Sequence, residues 1–167
     1  IQIVSLHPQN LFAALFVAPG QQTSDPYDKP APLGSANAIT RPPDSRTIGD
    51  TYPTYTSVAV NFQTDEVVLQ DNNLWSTRVF NRLDSTPPGA AQTQPKRVIQ
   101  GKQTLLEYNN GVYVDPNNGD IYSVESDTGD RMTVFPREAQ GNVAPKRELY
   151  VPHRSYAMTI NEQRQEL

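Results

Sequence analysis

The residues best suited to chemistry lie in one short acidic segment. Asp115, Asn117 and Asp120 carry carboxylate and amide oxygens, which are the ligands that Ca²⁺ prefers in proteins. A calcium loop that began at Asp115 would place a Glu at its twelfth position, where this chain has Ser126. Gly119 and its polar neighbours are typical of a tight β-turn. The segment therefore indicates a hairpin turn more strongly than a metal site, and calcium is the one cofactor left open.

An Asn or Asp directly after a short apolar run recurs along the chain, at Asn61, Asp115 and Asn161. Such residues could line a central channel and hold a metal ion. They could equally accept hydrogen bonds from backbone amides where a strand ends, which is a common use of Asn and Asp side chains. The second interpretation is favoured, and it assigns these residues a structural role.

No catalytic motif is present, and no catalytic residue is assigned. The chain lacks the Gly-x-Ser-x-Gly elbow, the glycine-rich phosphate loop and the dinucleotide fingerprint. His7 and His153 are the only histidines, so a His-dependent triad or a multi-His metal site would need a second chain. Turn carboxylates such as Asp127 are normally solvated. A non-enzymatic role is therefore favoured.

Aromatic side chains supply the candidate binding residues, namely Trp75, Tyr113 and Tyr122. A ring offers a flat apolar face with a polar edge, on which a glycan or a peptide can stack. Packing inside the protein is the favoured alternative for all three. Trp75 is the sole Trp and follows a turn; interface hot spots favour Trp, but burial between sheets is the stronger expectation.

Composition restricts the partners. The 167 residues carry a formal net charge of -4, so no basic surface for nucleic acid is expected. The longest apolar stretch, residues 11–18, is far shorter than the roughly 20 residues needed to cross a bilayer, so no membrane span is expected. There is no Cys. The chain begins with Ile1 and shows no signal-peptide pattern, which suggests a processed product or a piece of a longer protein, with an extracellular or periplasmic location.

The elements that must position these residues are strands. Fifteen Pro and nine Gly leave few stretches in which a helix could run three turns. Residues 19–43 and 83–95 are rich in Pro and indicate long excursions from a sheet. The sequence therefore predicts an all-β fold.

A repeat organises these strands. Asn61 and Asp115 lie 54 positions apart, and Asp115 and Asn161 lie 46 apart. Several further matches keep the same order, which favours duplication of a supersecondary module. They pair Val79–Arg82 with Val134–Arg137, and Pro95–Ile99 with Pro145–Leu149.

The clearest copy predicts four antiparallel strands joined by polar turns, which is the pattern of one propeller blade. The expected strands are Gly111–Asp115, Asp120–Glu125, Arg131–Phe135 and Lys146–Tyr150. Six of their apolar residues are expected to be largely buried: Val112, Val114, Ile121, Tyr122, Val134 and Phe135. The Lys-Arg pairs at 96–97 and 146–147 open the outermost strand, where they are expected to protect an exposed edge.

Gly111–Pro116, followed by Gly119–Tyr122 and Val134–Phe135, resembles the NHL repeat of six-bladed β-propellers. The resemblance is best over residues 57–167. It implies a fold used mostly to bind proteins or other ligands, and in some relatives for lactone hydrolysis or lyase chemistry with a metal in the central channel.

Counting blades predicts an incomplete ring. At about 45 residues per blade, the chain forms one partial propeller domain over residues 1–167. Another chain, further copies or missing sequence must then complete the array. The expected repeat units are 1–56, 57–110, 111–155 and a truncated 156–167.

Three functional hypotheses follow. The favoured one is a non-enzymatic extracellular module that acts as an interaction or structural scaffold with a protein partner. The first alternative is a fragment of a metal-dependent propeller enzyme of the lactonase or lyase type. The second alternative is a carbohydrate-binding propeller, which rests on the aromatic residues.

Overall fold

A computed structural model describes residues 46–164 and 166–167. The chain divides into two compact units, which are described separately. Within the described range the smaller unit holds residues 46–51 and 84–93, and the larger unit holds residues 52–83 and 94–167. The expected excursion at residues 19–43, His7 and most of the first repeat unit lie outside the described residues.

The larger unit contains two four-stranded antiparallel sheets. The first sheet, called the first blade, has the order β1-β2-β3-β4, and the second blade has the order β5-β6-β7-β8. A short 3₁₀ turn, Lys102–Thr104, lies between them in the chain. The strands are β1 (Tyr55–Asn61), β2 (Glu66–Asp71), β3 (Ser76–Asn81), β4 (Arg97–Gln100), β5 (Asn109–Val114), β6 (Ile121–Glu125), β7 (Arg131–Phe135) and β8 (Arg147–Tyr150).

The four strands predicted for the clearest copy are confirmed, with bounds that differ by at most two residues. The repeat is also visible in the backbone. Each blade has an irregular register at the start of its first strand, between Tyr55 and Ser57 in β1 and between Asn109 and Gly111 in β5. The two irregularities lie 54 residues apart in the chain, which is also the separation of Asn61 and Asp115. The duplication therefore extends to this local distortion of the strand.

The apolar core lies between the two blades. Val68, Val79 and Ile99 of the first blade form one hydrophobic cluster with three residues of the second. These are Val114, Ile121 and Phe135. Because successive side chains of a strand point to opposite faces, the cluster uses one face of each sheet.

Polar contacts join the same two faces. The Gln70 side-chain amide donates to the Ser123 hydroxyl between them. At the end of β1, Asn61 Nδ2 donates to the backbone carbonyl of Asp115 over 3.0 Å. Hydrogen bonds between buried polar groups thus hold the two blades together in addition to the apolar contacts.

Four of the six residues expected in the core are buried: Val114, Ile121, Val134 and Phe135. Val112 and Tyr122 are half-buried, so the prediction was too strong for these two. Val112 packs on the edge of the cluster between the blades. Tyr122 points to the opposite face of the second blade, which is less well covered, because it is adjacent to Ile121 in the strand.

The smaller unit has no strand among its described residues and is held by threonine hydrogen bonds. The Thr86 amide donates to the Thr47 carbonyl over 2.7 Å, and the Gly49 amide donates to the Thr86 hydroxyl over 2.7 Å. The Thr93 amide donates to the Gly49 carbonyl over 2.9 Å. The predicted excursion between β3 and β4 is confirmed for its described residues.

The fold is therefore all-β, with propeller-type four-stranded antiparallel blades. The two described blades do not close a ring. In the part of the chain that the structure describes, no helix is long and apolar enough to cross a membrane.

Candidate functional site

The candidate site is one face of the second blade, called here the open face. Its side chains share one side of the sheet because Tyr113, Tyr122, Val134 and Arg147 are successive cross-strand partners, and Leu149 lies two residues beyond Arg147. Leu149 is 50% exposed. Its repeat equivalent Ile99 is fully buried between the blades. The same position is therefore covered in one blade and exposed in the next.

A cavity of about 350 Å³ opens on this face. The acidic turn lines it through Asp115 and Asn117, and the sheet lines it through Tyr113, Tyr122 and Arg147. The C-terminal end of the chain contributes further lining side chains, namely Ile160, Glu162, Glu166 and Leu167. Four of the residues selected from the sequence thus meet at one place, namely Tyr113, Tyr122, Asp115 and Asn117.

Aromatic and charged groups meet in this cavity. The rings of Tyr113 and Tyr122 pack edge to face with centroids 5.6 Å apart. The Arg147 guanidinium lies 5.5 Å from the Tyr122 ring centroid, and its Nη2 donates to the Tyr122 hydroxyl over 2.7 Å. The Tyr113 hydroxyl donates to Glu162 over 2.7 Å. Burial raises the pKa of Tyr113, and the hydrogen bond and charge of Glu162 raise it further, so this hydroxyl remains a donor.

The acidic turn is a hairpin turn, as predicted. The Asp115 carboxylate accepts the backbone amide of Asn117 over 2.8 Å, and the Asn118 side chain accepts the amide of Asp120 over 2.7 Å. Gly119 has a φ of 78°, which favours glycine at this position. Asp120 forms an ion pair with Lys146. These oxygen atoms are directed towards backbone amides and a lysine rather than towards one point.

Metal binding therefore has little support from the geometry. Among residues 46–164 and 166–167, no group of three or more His, Asp or Glu side chains could hold a metal ion. Asp115, Asn117 and Asp120 remain candidates only through their sequence pattern. Their observed hydrogen bonds are those of a strand-end turn.

Trp75 lies apart from the open face and was expected to be buried between blades. It is 48% exposed at the turn between β2 and β3, and its φ is 49°. Its ring packs edge to face on Tyr108, with centroids 6.1 Å apart. The expectation of burial was wrong because the residue occupies the turn itself rather than the strand that follows it. Trp75 does not line the cavity of the open face.

The expectation that Lys96 and Arg97 protect a sheet edge was wrong for Arg97. Its guanidinium binds the buried Glu66 carboxylate through two hydrogen bonds, of 2.7 and 3.0 Å. Lys96 Nζ lies 2.7 Å from the same carboxylate, and Arg137 Nε approaches it from the second blade at 3.8 Å. Burial alone would raise the pKa of Glu66, but the hydrogen bonds and charges of Arg97 and Lys96 lower it to about 2.

The cluster of Glu66 with its basic partners was not predicted from the sequence. The signal was present as a repeated pair, because Glu66 and Asp120 occupy equivalent positions at the start of the second strand and the Lys-Arg pair occupies equivalent positions at the start of the fourth. An acid and a base that recur together at fixed positions indicate a contact. The repeated residues are Glu66 with Lys96, and Asp120 with Lys146.

Glu125, at the end of β6, is used in a similar structural way. Burial alone would raise its pKa, but backbone amides of the following turn donate to its carboxylate and lower the pKa. These donors belong to Thr128, Asp127 and Gly129. Such a carboxylate is held ionised as a turn cap, which does not suit a general acid at neutral pH.

No protein-family model matches this chain, and no curated protein matches it. Among solved structures, a crystal structure of Kluyvelomyces marxianus Hsv2 resembles it at 15% sequence identity with a TM-score of 0.40. The match covers 54% of this chain and 27% of that chain, so this chain spans only about a quarter of its length. The fold assignment rests on the topology of the two sheets themselves.

Proposed function

We propose that this protein is a propeller-repeat module, similar to the NHL type, that acts as an extracellular interaction or structural scaffold and not as an enzyme. The observation that carries the proposal is the duplicated blade. Both blades repeat the strand order, the irregular first strand and the acid–lysine pair. A protein built from stacked units that each contact only their neighbours serves well as an extended binding surface.

Three of the described carboxylates have structural contacts, which is the second observation in favour of the proposal. Glu66 is neutralised by Arg97 and Lys96, Glu125 caps a turn, and Asp120 is paired with Lys146. General acid–base catalysis needs a group that can exchange a proton near the working pH. The lowered pKa values of Glu66 and Glu125 move these two groups away from that range.

The partner we propose is protein, in the form of another chain or of further sequence that completes the blade array. The net charge of -4 disfavours nucleic acid. An extracellular or periplasmic location is part of this proposal. Cofactors are not part of it.

Carbohydrate binding is the second candidate, and one observation favours it. The cavity on the open face presents two tyrosine rings beside an arginine and carboxylates. Such a combination can stack on a sugar ring and hydrogen-bond to its hydroxyl groups. A glycan array with the chain and with Tyr122→Ala tests it: loss of a defined signal in the variant would support glycan recognition.

Metal analysis after gel filtration separates the scaffold from the metal-dependent enzyme. We expect less than about 0.1 equivalent of calcium or zinc per chain and no lactone hydrolysis, because the candidate oxygens are occupied by amides and a lysine. Stoichiometric metal that disappears in Asp115→Asn, together with lactonase or lyase activity, would contradict the scaffold. Glu138→Gln, which changes an exposed carboxylate, is the matched control.

A further inference from the structure

The open face of the second blade repeats the face through which the first blade binds the second. With the 54-residue offset, Tyr122 takes the place of Val68, and the third and fourth strands place Val134 and Leu149 where the first blade has Val79 and Ile99. Val68, Val79 and Ile99 are buried against the second blade. The equivalent surface of the second blade therefore has the composition of a blade-to-blade contact.

The C-terminal segment of the chain already lies on part of this face. A Cβ atom on Gly111 would be 3.2 Å from the backbone of both Tyr156 and Ala157, so the C-terminal segment passes directly across β5. Further along, the Tyr113 hydroxyl donates to Glu162. The C-terminal segment thus contacts β5 near Gly111 and near Tyr113, on the side opposite to the one that β5 presents to the first blade.

The segment also begins a hairpin of the repeated type. Asn161 and Glu166 exchange backbone hydrogen bonds of 2.8 and 3.2 Å. The Asn161 side chain accepts the amide of Arg164 over 3.2 Å, and Asn61 accepts the amide of Thr64 in the same way over 3.0 Å. Asn161 therefore forms the same turn hydrogen bonds that Asn61 forms at the end of the first strand of the first blade.

A second copy of this chain is a poor occupant of the open face. By the 54-residue offset of the second strands and by cross-strand pairing, the face that the second blade presents to the first corresponds to the Val67, Leu69 and Phe80 face of the first blade. All three side chains are already buried within this chain. A second copy therefore has no free first-blade face with which to continue the stack.

The charges around Glu66 indicate which charged group a sheet on the open face should carry. In the first blade the buried Glu66 receives Arg137 from the neighbouring blade in addition to its own Lys96 and Arg97. The equivalent Asp120 has Lys146 from its own blade. A neighbouring sheet that matches the existing interface would bring a cation towards Asp120.

We propose that a third four-stranded antiparallel sheet packs on the open face, and that residues 157–161 form the first strand of this sheet. Its apolar side covers Tyr122 and Leu149, on either side of the already buried Val134, and it carries a cation towards Asp120. The occupant is a further blade of this repeat type, rather than a second copy or a small ligand. The inference rests on the proposed function as a repeat module and names the surface by which the array continues.

A graft made from the chain's own sequence tests this. Asn161 aligns with Asp115, so residues 162–167 are replaced by a copy of residues 116–150, which supplies three more strands. We expect backbone amides of β8 around Leu149 to exchange with deuterium at least tenfold more slowly, and binding of an apolar dye to fall. The matched control carries Asp at the two grafted positions copied from Ile121 and Phe135, which would remove the apolar contact and abolish the protection.

A graft that folds, as judged by circular dichroism, but leaves exchange in β8 unchanged would overturn the proposal. A native chain that is dimeric by light scattering and becomes monomeric in Leu149→Lys would also overturn it, because the occupant would then be a second copy. The native chain supplies a test that does not depend on the graft. The amides of Asn161 and Glu166, which donate to each other's carbonyl groups, should exchange at least tenfold more slowly in the chain than in a free peptide of residues 156–167, and equal rates would overturn the proposal.

These results are distinguishable from failure of the proposed function. Stoichiometric metal with hydrolytic activity would contradict the scaffold but would not alter exchange in the graft. Unchanged exchange in a folded graft, with no metal present, would reject the third blade and leave the scaffold in place.

Discussion

Equivalent residues of the two blades have different environments, and Arg97 and Arg147 show this most clearly. Arg97 is 9% exposed and binds Glu66, whereas Arg147 is exposed and contacts Tyr122. A buried carboxylate with two cations is costly to disturb, because removal of one partner leaves the other charges buried without compensation. An exposed contact of the same residue type contributes much less.

We expect Glu66→Gln to lower the free energy of unfolding by about 3–5 kcal/mol, which is typical of a buried ion pair that loses one partner. Asp65→Asn, which removes the exposed partner of Arg82, is the neighbouring control and should cost about 0–1 kcal/mol. Urea denaturation at pH 7 measures both. Equal losses in the two variants would show that the cluster around Glu66 is not a major source of stability.

The same carboxylate predicts a pH dependence. Its pKa is about 2 in the folded protein and 4.5 in its ordinary state, so its contribution is fully present above about pH 5. As the pH falls from about 5 towards 2, the unfolded state takes up the proton first, and this contribution is lost. We therefore expect the stability difference between the wild type and Glu66→Gln to shrink over this interval. Chemical denaturation at several pH values measures it, and a constant difference would contradict the assignment.

At the level of the element, each hairpin is closed by a polar side chain at the end of its strand. The Asn61, Asp71 and Asp115 side chains each accept backbone amides two and three residues ahead. These interactions are local, which is why the turns were predictable from residue types. Asn61 has a further role that its type did not reveal, because it also donates to the Asp115 carbonyl of the other blade.

Asn61→Asp separates these two roles. Asp retains the acceptor for the turn amides but has no side-chain donor for the Asp115 carbonyl, which is left without this bond. We expect a loss of about 0.5–1.5 kcal/mol, the range for one hydrogen bond, because the Asp115 carbonyl still accepts the Gly119 amide. Thermal or urea unfolding measures this loss. The reciprocal change Asp115→Asn keeps the turn cap and serves as the control, with an expected effect near zero.

At the level of the whole molecule, the position of a blade in the stack decides which of its faces is buried. The repeat makes Ile99 and Leu149 equivalent, yet Ile99 is enclosed between blades while half of Leu149 is exposed. Large apolar side chains on an exposed sheet face are a common feature of interaction surfaces. The difference follows from the neighbour of each blade rather than from the strand itself.

This difference predicts unequal effects of one substitution at two equivalent sites. Ile99→Ala should lower the free energy of unfolding by about 2–5 kcal/mol, since it creates a cavity in the core. Leu149→Ala should change it by no more than about 0.5 kcal/mol, as is usual for surface positions. Urea unfolding of both variants gives the comparison, and equal losses would mean that Leu149 is enclosed in solution.

Residue types and their spacing were enough to predict the strands, the hairpin turns and their repetition. Strand alternation and turn preferences depend on residues within a few positions of one another, so Val112–Asp115 and Gly119 were sufficient to predict β5 and the turn after it. The strand bounds were uncertain by one or two residues because pairing with a neighbour extends or shortens a strand beyond its own pattern.

Which residues of this pattern are buried depends on the packing of the two blades. The Lys-Arg pair looks the same in both copies, but Arg97 lies inside an interface and Arg147 lies on an open face. Tyr122 and Trp75 likewise have environments that their own strands and turns do not specify. Burial depends on what lies across from a side chain, and that neighbour is distant in sequence, which is why no local pattern reveals it.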